Sequence, residues 1–222
     1  MKTSSAKPTK KPWPTKKAMV QIYEQNLWGG ETGTFYSGSG SHESGLVDPY
    51  VKKVQHFLSS FDEPVTVADL GCGDFNVGRH FLPYVKEYIG VDIVPELIER
   101  NKATFKAEGL RFFCLDIAKD DLPDGDGVIL RNVLQHLSNN EIAQILEKLR
   151  SYHFLILTEH IPDGAFTPNL DIISGQGIRL KKNSGVDITA KPFDLPIVDS
   201  EQWLSLPLAE WPGRIVTTLY RL

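Results

Sequence analysis

The stretch Val67–Gly78, VADLGCGDFNVG, decides the fold of this chain. An apolar run rich in β-branched residues carries one acid, Asp69. It then meets Gly71 and Gly73, one residue apart, and Gly78 further on. Apolar residues followed by glycines read as a buried strand running into a turn where the backbone must come close to something. A phosphate cradle, a nest for another polar ligand and a plain tight turn all begin this way.

Outward from that stretch, strands and helices alternate. VTVADL is a strand and VGRHFLPYV a short helical piece, followed by a second strand, YIGVDI. PELIERNKATFKAEG reads as a helix with Pro95 in its first turn and Gly109 as its stop. LRFFCLDI, GVILRN and FLILTE are the third, fourth and fifth strands. Between the last two, SNNEIAQILEKLRS places Ile142, Ile145, Leu146 and Leu149 on one stripe, behind a capping box of Ser138 and Glu141. This rhythm implies parallel strands with right-handed crossovers and helices on both faces. After NLDIISGQGIRLKKNSGVDITAKPFDLP, which has loop chemistry, LPIVDSEQW and RIVTTLYRL read as two strands that pair antiparallel at the edge. The expected fold is therefore α/β: a doubly wound, mostly parallel, Rossmann-like seven-stranded sheet with an antiparallel C-terminal edge.

Upstream, Leu46, Val47, Tyr50, Val51, Val54, Phe57 and Leu58 share one helical face, and Ala18–Asn26 forms a short helix. LWGGETGTFYSGSGSHESG between them is a long Gly/Ser/Thr loop. Loops of this length are commonly functional, and this one is expected as a lid or a linker. The first 17 residues hold six lysines, three prolines and no acid, so they read as a disordered basic tail. Residues 18–222 make one domain, with the helices and possible lid loop in 18–62. The formal charge of −4 for the 222 residues becomes −10 once the tail's six lysines are set aside, which argues against a nucleic-acid surface. There is no secretory h-region, apolar membrane span or CxxC pair. Cys72 and Cys114 are expected in buried strands or turns, and a reducing cytoplasm is the natural setting. Histidine spacing gives no metal site.

Three successive strand tips carry acids: Asp69, Asp92 and Asp116. In open α/β sheets ligands bind beyond such tips. A dinucleotide fingerprint would require glycine at position 76, where the chain has Asn76, and Asp74 would sit badly beside a pyrophosphate. A nicotinamide oxidoreductase is therefore disfavoured, and a ligand bringing positive charge fits better. At this point DLGCGD resembles the first motif of the class I S-adenosylmethionine-dependent methyltransferases. The longer run CGDFNVGRHFLPYVKEYIGVDIVPELIERN is similar to a bacterial methyltransferase-like group, and the resemblance spans residues 65–160.

That resemblance implies S-adenosyl-L-methionine as cofactor. It assigns Gly71 and Gly73 to backbone approach at the methionyl part, Asp69 to the ammonium end and Asp92 to the ribose hydroxyls. Ile93 and Ile117 would be apolar walls for adenine, and Asp116 would accept from its amino group. Arg131 and Asn132 would face the methionyl moiety, and Trp28, Tyr36 and Ser39 of the loop would touch cofactor or acceptor. For a base the candidates are His136 and Glu159. By analogy of position, KPFDLP would form part of the acceptor wall. The expected reaction is in-line methyl transfer to a small-molecule or carrier-bound metabolite. A non-catalytic module binding S-adenosylmethionine or a nucleoside is the alternative.

Overall fold

In the computed structural model the described residues are 13–31, 33–208 and 212–222, so most of the basic N-terminal stretch lies outside them. Seven strands form one sheet in the order β3-β2-β1-β4-β5-β7-β6. The strands are β1 (Thr66–Leu70), β2 (Glu87–Asp92), β3 (Leu110–Cys114), β4 (Gly127–Arg131), β5 (Phe154–Ile161), β6 (Asp199–Pro207) and β7 (Arg214–Arg221). The first five pair parallel, and β7 pairs antiparallel with both β5 and β6. The α/β sheet with an antiparallel edge is thus the one read from the sequence.

Alternation along the strands supplies two cores. Ala68, Leu70, Ile89, Val128, Leu130, Leu155 and Leu157 face one side, with helices α1 (Thr15–Glu24) and α4 (Asn139–Lys148). Val67, Tyr88, Ile129, Phe154 and Ile156 face the other, beneath α2 (Ser44–Leu58). Strands buried on both faces require helices on both faces, as a parallel sheet does generally.

Two helix boundaries differ from the sequence reading. Helix α1 starts at Thr15, so Thr15, Lys16 and Lys17 are helical rather than part of a tail. Helix α3 (Pro95–Thr104) stops five residues before Gly109. Phe105 leaves the helix as extended chain, and its ring lies 5.0 Å from that of buried Phe75. Burying an aromatic ring outweighs one more helical turn. Cys114 is exposed rather than buried, because β3 is an edge strand. Among the described residues no helix is long and apolar enough to cross a membrane.

Candidate active site: a cleft across the strand tips

At the end of β1 the backbone folds back on β2, with the amides of Gly71 and Cys72 both donating to the Val91 carbonyl (2.7 and 2.9 Å). Gly71 and Gly73 have φ of +89° and +55°. A Cβ on Gly71 would collide with the Val133 side chain, and one on Gly73 with the Ser37 hydroxyl. Glycine is therefore demanded by close packing of the chain on itself, in addition to any ligand. Gly78 is required for a separate reason, since a Cβ there would lie 2.6 Å from the Phe75 ring.

The three strand-tip acids line one cavity of about 780 Å³. Asp92 is buried, and its two oxygens accept from the amides of Gly73 and Val94 (both 3.1 Å), which fixes the carboxyl plane. Burial pushes its pKa up to about 6. The Asp69 carboxyl accepts from the Tyr88 hydroxyl at 2.8 Å, and burial raises it to about 7. Asp116 lies just past β3 and accepts from the Ala118 amide (3.2 Å) and the Lys119 ammonium (2.6 Å). Ile93 and Ile117 stand beside these acids on the cavity wall.

The Gly/Ser loop lies across the cavity, and Ser37 through Ser41 line it. Asp74 is the anchor. Its Oδ2 accepts from the Ser37 amide (3.0 Å) and pairs with His42 Nε2 (2.6 Å), while its own amide donates to the Ser37 hydroxyl (2.8 Å). Asn76 Nδ2 donates to the Ser41 carbonyl at 2.7 Å. Arg131 donates to the Gly40 carbonyl (2.5 Å) and the Ser41 hydroxyl (3.2 Å), and its guanidinium rests over the Tyr50 ring. Asp74 and Asn76, which in the sequence argued only against phosphate, tie down the loop. Tyr36 stacks on His42, with ring centroids 4.3 Å apart, and does not line the cavity.

Trp28 lies between Tyr23 and His136, its ring 5.4 and 5.2 Å from theirs. His136 lines the cavity, but its Nδ1 donates to the Gly175 carbonyl (3.2 Å) and its Nε2 faces the Gln135 amide nitrogen (3.2 Å). Burial lowers its pKa to about 4. The imidazole is therefore neutral at physiological pH, able to accept a hydrogen bond but a weak base.

Glu159 does not reach the cavity. Its Oε1 accepts from the Leu134 amide (3.1 Å) in the 3₁₀ turn Leu134–His136, and burial pushes its pKa up to about 8. The sequence reading put it at the end of the fifth strand; β5 runs on to Ile161, and the Glu159 side chain turns to the Leu134 amide rather than into the cleft. It is held as a neutral acid, so glutamine should replace it well. The native carboxyl keeps its proton longer than the unfolded one, and the wild type loses stability as pH rises from about 4.5 through about 8. Glu159→Gln lacks that loss. Thermal denaturation should show similar stability at pH 5 and a more stable variant at pH 8, by more than about 1 kcal/mol. A variant unstable at both pH values would contradict this placement.

Beyond β5, residues 162–198 run without a strand or α-helix, and Arg179 organises them. This side chain is 2% exposed. It donates to the carbonyls of Leu134 (3.2 Å), Gln135 (3.3 Å), Leu137 (2.7 Å) and Leu170 (3.0 Å) and to Asn139 Oδ1 (2.8 Å). Gln176, Gly177, Ile178, Leu180 and Lys181 consequently complete the cavity wall. KPFDLP does not take part; Phe193 and Leu195 pack into the core instead. Of the residues singled out in the sequence, Trp28, Ser39, Asp69, Gly71, Gly73, Asp92, Ile93, Asp116, Ile117, Arg131, Asn132 and His136 come together around this one cavity.

Over residues 68–153 the sequence matches the family model described as a methyltransferase domain. No match was found among curated proteins. Among solved structures the fold is similar to the N-methyltransferase NodS from Bradyrhizobium japonicum WM9 in complex with S-adenosyl-L-homocysteine. That match has 12% identity and a TM-score of 0.64, covering 92% of this chain and 98% of that one. It is similar also to the Burkholderia thailandensis 1,6-didemethyltoxoflavin-N1-methyltransferase with bound 1,6-didemethyltoxoflavin and S-adenosylhomocysteine (16% identity, TM-score 0.60, 93% and 86% covered). A third is magnesium protoporphyrin IX methyltransferase from Synechocystis PCC 6803 with bound S-adenosylhomocysteine (16% identity, TM-score 0.59, 94% and 100% covered). The resemblance in DLGCGD thus extends to the domain and to the whole fold. Residues 68–153 match a methyltransferase domain, and the fold of the chain is the one shared by these methyltransferase structures.

Proposed function

We propose that the cleft binds S-adenosyl-L-methionine along β3, β2 and β1 and transfers its methyl group to a small-molecule or carrier-bound metabolite in the cytoplasm. The observation that carries this is a set of buried groups poised for a zwitterionic nucleoside. Asp92 offers two oriented carboxylate oxygens to a ribose diol. Arg131 Nε and Asn132 Oδ1, both buried on the cavity wall, have no partner among the described residues. A carboxylate and an ammonium would satisfy them, with Asp69 beside the ammonium. Asp116 with Ile93 and Ile117 would hold the adenine. Ser39 and Trp28 would close over the ligand from the loop.

Bound S-adenosylmethionine would supply a sulfonium methyl group: the acceptor's lone pair would form the new bond, both electrons of the broken S–C bond would remain on sulfur, and any proton on the acceptor would leave to solvent. The protein's part is alignment and exclusion of water, worth as much as roughly 7–11 kcal/mol. His136, whose two ring nitrogens are engaged by the Gly175 carbonyl and the Gln135 amide, would pack against the acceptor with its ring rather than remove a proton. A nucleic-acid acceptor is disfavoured by the acidic body and by a site roofed by the 37–41 loop.

Calorimetry with S-adenosylmethionine tests the proposal, and absence of binding heat sinks it. The pH dependence is specific. Both carboxyls must be ionised to accept from hydroxyls and an ammonium, and they take up protons near pH 7 (Asp69) and pH 6 (Asp92). Affinity should fall at least about tenfold between pH 8 and pH 5.

A further inference from the structure

The charges around the cleft are segregated. The strand order places three acid-bearing tips, β3, β2 and β1, at one end, and β4, β5 and β7 at the other. With strands about 4.8 Å apart, five steps from β3 to β7 make a cleft about 24 Å long, of which the acids span less than half. The far half is lined by Leu27, Trp28, Ile178, Leu180 and Ile215, with the neutral imidazole of His136. Glu141, the remaining carboxylate on the wall, has its oxygens turned to the hydroxyls of Thr15, Ser138 and Ser174. Among the described residues, the far half presents two cations on the wall, Arg131 at the β4 tip, which is tied to the 40–41 loop, and the exposed Lys181, and no carboxylate of its own.

Lys181 is also placed, not merely nearby. It belongs to the 3₁₀ turn Arg179–Lys182, whose first residue is clamped by five acceptors and whose last donates from Nζ to the Asp171 carbonyl at 2.7 Å. Lys181 lines the cavity with an exposed side chain, and its ammonium has no ion-pair partner among the described residues. We infer that the methyl acceptor has an apolar body and carries an anionic group, a carboxylate or its equivalent, which Lys181 receives while Trp28 and the aliphatic wall take the body. An ammonium at the end of an apolar chamber favours an anion and rejects a cationic amine. This rests on the methyltransferase reading of the cleft.

Matched pairs of probes test it, naphthalene-2-carboxylate against naphthalene-2-carboxamide and indole-3-acetate against indole-3-acetamide. Binding to the protein saturated with S-adenosylhomocysteine is followed by ligand-observed NMR. Each acid should bind about tenfold or more tightly than its amide. Lys181→Gln should erase that preference and Lys181→Arg retain it, with S-adenosylhomocysteine affinity within about twofold of wild type in both. Equal binding of acid and amide, binding of neither, or a preference that survives Lys181→Gln overturns the inference. Failure to bind S-adenosylhomocysteine at all would instead overturn the proposed function, so the two are separable.

Discussion

Replacing Asp92 with alanine is expected to weaken S-adenosylmethionine binding by more than about 100-fold while the protein stays folded. Each ribose hydroxyl bonded to an ionised acceptor contributes about 1.5–3 kcal/mol, and every 1.4 kcal/mol is a factor of ten. The substitution removes both bonds. The effect on stability is smaller because two contributions oppose each other. The amides of Gly73 and Val94 lose their acceptor, at a cost of about 1 kcal/mol each, but a carboxyl whose ionisation burial disfavours is also removed. Calorimetry gives the affinity, and the cofactor-induced rise in melting temperature should vanish in parallel. Wild-type affinity in the variant would remove Asp92 from the site.

The largest loss of stability is expected at Arg179. Arg179→Ala strands the carbonyls of Leu134, Gln135, Leu137 and Leu170 around an emptied volume. Leaving buried acceptors unsatisfied costs about 1–3 kcal/mol each, so a loss of more than about 3 kcal/mol is expected, read as a lower urea midpoint. Lysine should not rescue, since one ammonium cannot reach acceptors spread around a planar fork. Because the same carbonyls belong to the turn that carries His136, acceptor binding should weaken before cofactor binding does. A variant as stable as wild type would show that the 162–198 segment is held by other means.

What could be read from the sequence was whatever is local. The strand-to-glycine step at residues 67–73, the acids on three strand tips and the Ser138–Glu141 box each lie within a few residues and obey a period or a spacing. The capping box is formed as read, with the Glu141 amide donating to Ser138 Oγ at 3.4 Å. What could not be read depends on partners far along the chain. Arg179 meets its acceptors 9 to 45 residues away, and in RLKKN it looks like one more solvated cation. Asp74 reaches back 37 residues to Ser37. Glu159 lies on the expected strand but two residues short of its end, and only the turn at Leu134 determines which way its carboxyl points. The clash that makes Gly71 obligatory is with Val133, 62 positions on, so the local motif suggested glycine for a narrower reason than the fold imposes.

The row of acids has one more effect, on the direction of traffic through the cleft. Asp69, Asp74, Asp92 and Asp116 are gathered at one end, and burial disfavours ionisation of Asp69 and Asp92. A sulfonium cofactor arriving there brings a positive charge that relieves that cost. In the proposed complex, methyl transfer would neutralise the sulfur and remove that relief as the product forms. Such a wall would favour the charged cofactor over its spent, neutral-sulfur form and so work against product inhibition, with no moving part required.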